Sequence, residues 1–244
     1  MTAHMVPSRD HSPSSHSAAS LLAASLRDEL LTKRYPPGAR LYTQRDLQKR
    51  SGYSLSVVRE ALQLLQASGL VTVRQGAKGG VLVRQTDHEI ITQSLSALIA
   101  SNDVPHETVV ESRQELEGIC AVMAARNATT EQIAELDASI ERAQALTGDP
   151  VKFSMENVTF HRVISAATGN AVIVAVSAAL SDLFFEGTSK VVYSPTALTA
   201  TIRAHTRIAS AIKNADPAAA RAAMSRHVTG FDKYMHQTRQ IRGC

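Results

Sequence analysis

Tryptophan is missing from the 244 residues, aromatic residues make up only 4%, and there are two cysteines. The cores of such a chain have to be filled by Ala, Leu, Val and Ile. Ala and Leu lose little side-chain freedom in a helix, so the composition leans toward helices. Cys120 and Cys244 are too few for a disulfide framework, and a reducing compartment is the simpler reading. No run approaches the roughly 18 uninterrupted apolar residues of a membrane span. The N-terminus also lacks the apolar core of a signal peptide. A cytoplasmic protein with no membrane partner is therefore expected. Apolar residues still reach 44%, enough for hydrophobic cores, and the length fits two domains.

The net charge of +4 is modest, but it is unevenly spread. Residues 20–84 carry eleven Lys/Arg against four Asp/Glu, and residues 85–244 carry fourteen against seventeen. A basic front segment and a slightly acidic rear segment suggest a nucleic-acid module joined to something else.

Residues 1–16 are rich in Ser, His and Pro without periodicity and read as a disordered tail. Helical spacing begins near Ala18, with Leu22, Leu26 and Leu30 on one face, and Pro36-Pro37-Gly38 ends it. Two short helices follow. Thr43 is placed to cap the first and Ser54 the second, with a Ser51-Gly52-Tyr53 turn between them. The second helix carries Val57, Val58, Ala61, Leu62, Leu64 and Leu65, and stops at Gly69. Leu70–Arg74 alternates as a strand, residues 75–80 form a glycine-rich turn, and Val81–Val83 is a returning strand. The order is helix, helix-turn-helix, β-hairpin, ending near residue 84. Beyond it everything reads as helix, near 88–101, 105–127, 130–147, 150–168, 171–193, 196–214 and 217–239, with polar, Gly or Pro breaks between. The fold expected is mainly α: a winged helix-turn-helix over 17–84 and an antiparallel bundle of about seven helices over 85–240.

The segment from Pro36 to Val83 resembles the winged helix-turn-helix of the GntR family of bacterial regulators. The resemblance is carried by PPGARL (36–41), QRDL (44–47), SGYS (51–54), VREAL (58–62), Leu65, SGLV (68–71) and RQGAKGG (74–80). A helix-turn-helix lays its second helix in the major groove with its first residues near base edges. Here that helix starts at Ser54-Leu55-Ser56, with Arg59 one turn on. An arginine can take guanine O6 and N7 in two bonds. The resemblance implies Arg45 and Arg59 as major DNA contacts, with Gln75 and Gly76 of the wing in the minor groove. Lys49, Ser54, Ser56 and Lys78 suit phosphates, which position the protein without specifying sequence. Two departures set this chain apart. Leu55 stands where the family usually has Arg, and it is suited to a thymine methyl instead. Tyr42-Thr43-Gln44 replaces the usual Pro-Ser-Glu.

The rear segment resembles the FadR-like C-terminal ligand-binding domain, called FCD, through RQELE (113–117), AVMAAR (121–126), NVTFH (157–161), ATGN (167–170), AHTRIASAI (204–212) and DPAAARAAMSRH (216–227). The helix at 88–101 favours its seven-helix version. Asn157 and His161 are four apart and share a helix face, while His205 and His227 fall on two other helices. At these family positions they form a candidate site for one divalent ion, Zn, Ni or Mn by the donor set. Asn157 stands where many metal-bearing relatives have Asp, so a neutral oxygen replaces a charged one. Arg113 lies on the helix that lines the pocket in relatives and suits a carboxylate held by two bonds. The competing reading is an internal salt bridge to Glu117. His88, His106 and His236 read as surface residues.

The expectation is a homodimeric repressor on palindromic double-stranded DNA, released by a small organic acid. A direct metal sensor and a metal-dependent enzyme are the alternatives. Against the enzyme, the chain lacks a His-Glu-x-x-His motif, a nucleotide loop and a nucleophile–base pair.

Overall fold

The computed structural model describes residues 17–33, 35–74, 76, 79–84, 88–188 and 194–241. The tail expected over residues 1–16 lies outside them, as do Gln75 and Lys78 of the wing. The chain divides into two compact units, Met1–Asp87 and His88–Cys244.

In the first unit, α1 (Ala18–Lys33) buries Ala19, Leu22, Ala23 and Leu26, positions that helical spacing puts on one face. Pro36 and Pro37 cannot continue the helix, and Gly38 turns the chain at a φ of +80°. Helix α2 (Gln44–Ser51) opens with a capping box, in which Thr43 accepts from the Asp46 amide and Asp46 accepts from the Thr43 amide. Gly52, left-handed at φ +73°, closes it. Helix α3 (Leu55–Ala67) is capped by Ser54. It buries Val58, Ala61, Leu62 and Leu65 against α1, α2 and the sheet. Strands β2 (Val71–Arg74) and β3 (Gly80–Val83) pair antiparallel, Val71 opposite Val83 and Val73 opposite Val81.

The hairpin is not alone. Arg40–Tyr42 forms β1 against β3, giving the order β1-β3-β2. Three residues between a Pro-Gly turn and a helix cap show no alternation, so sequence pattern could not reveal this strand. Gly80 lets β1 close, because a Cβ there would stand 3.0 Å from Arg40 Nε and 3.1 Å from the Tyr42 carbonyl oxygen.

The second unit is the expected antiparallel bundle. Its helices are α4 (Glu89–Ser101), α5 (His106–Asn127), α6 (Thr130–Ala145), α7 (Pro150–Ala166), α8 (Ala171–Thr188), α9 (Pro195–Lys213) and α10 (Pro217–Ile241). Pro150, Pro195 and Pro217 each open a helix, where a missing amide costs nothing. The expected end of α8 at residue 193 lies outside the described residues. The core is built on alanine: Ala121, Ala124, Ala209, Ala220 and Ala223 are buried beside Leu136, Phe160, Ile164, Ile208 and Met224. Small side chains let α5, α7, α9 and α10 approach closely, which brings polar groups of those helices into one interior. No described helix is long and apolar enough to cross a membrane.

Candidate functional site

Two sets of residues stand apart from ordinary packing, one in each unit. In the first, α3 turns its apolar stripe inward and leaves Ser54, Ser56 and Arg59 exposed, with Leu55 half-buried. Arg45 and Lys49 are exposed on α2, and Gly76 is exposed in the wing at a φ of +99°. Ser54 and Ser56 hydroxyls lie 2.8 Å apart. Arg59 does not pair with an acid of its own helix; its Nε donates to Gln44 Oε1 at 3.2 Å. Gln44, the first residue of α2, thus aims the arginine. Sequence reading passed over it because the partner is fifteen residues away.

In the second unit, three histidines from three helices meet. His161 of α7, His205 of α9 and His227 of α10 are all buried, and one ring nitrogen of each lies within 4.8 Å of the others. His161 Nε2 and His227 Nε2 are 3.2 Å apart. Two nitrogens each about 2.0–2.1 Å from one zinc ion would be separated by about 3 Å, so this spacing suits a shared ion. Phe160 stacks flat on His205, centroids 3.8 Å apart and planes 7° from parallel, fixing that ring. His205 Nε2 and Asn157 Oδ1 are buried without a hydrogen-bond partner. Leaving such atoms unpaired costs about 1–3 kcal/mol each, and an ion held by the three histidines would satisfy His205 Nε2. Asn157 lies one turn before His161 on α7. The residues present therefore fit a divalent metal.

Their charge state fits as well. Burial first, then the neighbouring histidines and Arg113, holds His205 well below the ordinary histidine range. Burial foremost, then His161 and Arg113 and, less, Arg207, hold His227 there too, against an opposing pull from Glu117. Neutral imidazole is the form that ligates.

Behind the cluster stands a support that sequence reading missed. Glu117 Oε2 lies 2.7 Å from His161 Nδ1, and Arg113 Nε donates to Glu117 Oε1 at 3.2 Å. Burial raises the Glu117 carboxyl, but His161 and Arg113 together outweigh it and bring it down to about 2. An ionised carboxylate on Nδ1 fixes the ring and leaves Nε2 for an ion. The only sequence signal was the i,i+4 spacing of Arg113 and Glu117, which the structure shows as a buried ion pair.

His88 and His106, expected at the surface, are half-buried and paired: His88 with Asp182 at 2.7 Å, His106 with Asp232 at 3.2 Å. Both carboxylates come from remote helices, so no local pattern announced them. The His236 side chain lies outside the described residues.

Residues 19–83 match the family described as bacterial regulatory proteins, gntR family, and residues 108–230 match the FCD domain. The chain belongs to the GntR family. Its members are transcription regulators that bind double-stranded DNA, so this chain is a regulator and not an enzyme. FCD domains bind small-molecule effectors and often carry a metal. The chain is 32% identical over 155 residues to the Uxu operon transcriptional regulator of Escherichia coli (strain K12), covering 63% of this chain and 59% of that protein. It is 26% identical over 223 residues to the HTH-type transcriptional repressor NanR of Enterobacter sp. (strain 638), covering 88% of this chain and 84% of that one. It is 27% identical over 201 residues to the HTH-type transcriptional regulator LutR of Bacillus subtilis (strain 168), covering 80% and 91%. Among solved structures, Streptococcus agalactiae GntR superposes with a TM-score of 0.71 at 23% identity, covering 88% of this chain and 99% of that one. That likeness speaks for the fold.

Proposed function

We propose that this protein is a homodimeric, cytoplasmic transcription repressor that leaves a palindromic operator when its C-terminal domain binds a small organic acid beside a metal ion. The observation that carries the effector side is the buried trio His161, His205 and His227 with two unpaired ligating atoms, His205 Nε2 and Asn157 Oδ1. These four residues would hold the ion, Zn, Ni or Mn, which when bound offers open coordination positions to a carboxylate. Glu117 orients His161, and Arg113 holds Glu117 in place. Arg113, buried and paired with Glu117, is the residue assigned to an effector carboxylate that reaches the bundle interior. On the DNA side, Arg59 and Arg45 read base edges and Leu55 faces a thymine methyl. Lys49, Ser54, Ser56 and Lys78 hold phosphates, and Gln75 and Gly76 carry the wing into the minor groove.

Binding moves a conformational equilibrium only by its differential affinity for the two states, so the acid must favour the form of the dimer that fits the operator poorly. The test pairs elemental analysis of protein purified without chelator with operator binding and sedimentation. Wild type is expected to carry one metal per chain and to bind operator as a dimer. His205→Ala and His227→Ala are expected to lose the metal and the response to effector, yet keep operator affinity. Arg59→Ala is expected to lose about 1–3 kcal/mol on operator and to blur base preference. Metal-free wild type that still responds to effector overturns the metal assignment. A metal sensor would instead change operator affinity with the ion alone.

A further inference from the structure

The histidine cluster meets solvent through His227. This side chain is also part of the wall of a cleft of about 310 Å³ between α9 and α10. One face of α9 lines it, with Ala197, Ala200, Thr201, Ala204 and Arg207 at helical spacing. Opposite, α10 contributes Arg226, His227, Gly230, Phe231 and Tyr234. A Cβ built on Gly230 would touch nothing within 4 Å, so the cleft is open at this point. A second groove of about 430 Å³, toward the α9–α10 turn, is lined by the same two arginines.

Arg207 and Arg226 therefore stand where the two hollows join. Among the described residues, neither arginine forms an ion pair or a hydrogen bond. The one acid lining either hollow among the described residues is Asp216, and its Oδ1 already accepts from the Ala219 amide at 2.9 Å. Two uncompensated guanidiniums on adjacent helices are a standing demand for an anion, and their planar forks suit carboxylate or phosphate oxygens. Along α9 the wall adds the Thr201 hydroxyl to a strip of alanine, and Thr196 and Tyr234, whose hydroxyl accepts from the Ser194 amide at 2.8 Å, line the far end. A threonine hydroxyl set in this otherwise largely apolar wall suits a compact hydroxylated molecule held mainly by its acidic groups.

We propose that Arg207 and Arg226 are the second anchor of the effector site, and that the effector is a hydroxylated acid with two acidic groups. One group lies between the guanidiniums and the other is directed past His227 toward the histidine cluster. The inference rests on the reading of this domain as the effector domain.

The acidic group held by the arginines can be carboxylate or phosphate, and probe pairs separate the two. The metal-loaded full-length protein is titrated calorimetrically with L-malate against L-lactate, and with 6-phosphogluconate against gluconate. The diacid of at least one pair is expected to bind ten-fold or more tightly than its monoacid partner. A preference confined to the malate pair marks a second carboxylate, and one confined to the phosphogluconate pair marks a phosphate. The double variant Arg207→Gln, Arg226→Gln is expected to lose that preference while keeping wild-type metal content and operator affinity. Both side chains are exposed, so the variant should fold. The Lys, Lys double variant should fall between, retaining charge but not the fork. Equal binding of monoacid and diacid in both pairs, or an unchanged preference in the Gln variant, overturns the proposal. If wild type binds no metal yet shows the arginine-dependent preference, the metal reading fails and this one stands.

Discussion

Glu117 shows how one buried charge can be tolerated and used. Alone in the bundle interior it would be too costly to ionise, but Arg113 and His161 flank it and keep its carboxyl down at about 2. Glu117→Gln keeps the shape, lowers the basicity delivered to His161 and removes the negative charge that faces Arg113. Loss of an orienting carboxylate typically costs 10–100-fold in metal affinity. Breaking a buried pair typically costs about 3–5 kcal/mol. The variant is expected to show both effects, read by competition with a chromophoric chelator and by urea denaturation. A folded Glu117→Gln protein with wild-type metal affinity would deny Glu117 its positioning role. The same residue marks a limit of sequence reading. That His161, His205 and His227 belong together was legible, whereas Glu117 appeared only as a partner for Arg113. Its approach to His161 crosses from α5 to α7, and no spacing along the chain encodes that.

At the level of elements, the winged unit is tied together by one acid of α1. Glu29 accepts from Lys33 and Tyr42, each at 2.7 Å, from Tyr35 at 3.3 Å and from Arg50 at 2.9 Å. Arg50 also lies over the Tyr42 ring at 4.7 Å. One carboxylate thus joins α1, β1 and α2. Hydrogen bonds from Lys33 and Tyr42 above all lower its pKa from 4.5 to about 2. A carboxyl lowered in the folded state contributes stability that is present above its unfolded value, near 4.5, and is lost as pH falls toward 2. Glu29→Gln is therefore expected to flatten the acid limb of unfolding between pH 4.5 and 2, and to leave the limb above pH 6 parallel to wild type. Denaturation followed by circular dichroism over that range is the check, and identical acid limbs would discount the clamp. The tyrosine of the Tyr42-Thr43-Gln44 departure thereby acquires a job: its hydroxyl completes the clamp, while Thr43 caps α2 and Gln44 aims Arg59.

Across the whole molecule, the two units have separate cores. One is built on Leu47, Val58, Leu62 and Leu65, the other on Leu136, Phe160, Ile208 and Met224. Each buries its own apolar face, so each can unfold as its own cooperative block. The histidine cluster belongs to the second alone. Zinc at 100 times its dissociation constant stabilises the state that binds it by about 2.7 kcal/mol. Calorimetry is expected to show two transitions, of which added zinc raises only one, and His205→Ala is expected to abolish that rise. A zinc-induced shift of both transitions in equal measure would mean that the units unfold together.

The sequence by itself determined the helix boundaries, the helix-turn-helix with its caps, the two-stranded wing and the candidate ligands. Periodicity, Pro and Gly breaks and Ser/Thr caps act within a few residues, and a chain displays them openly. The tertiary structure alone decided that β1 joins the wing, that Gln44 holds Arg59, that Glu117 backs His161 and that Arg207 and Arg226 flank one cleft. Each of these depends on which faces meet after packing. Side chains fifteen or more residues apart are brought together by small-residue helix contacts and strand closure, whose geometry no local pattern carries.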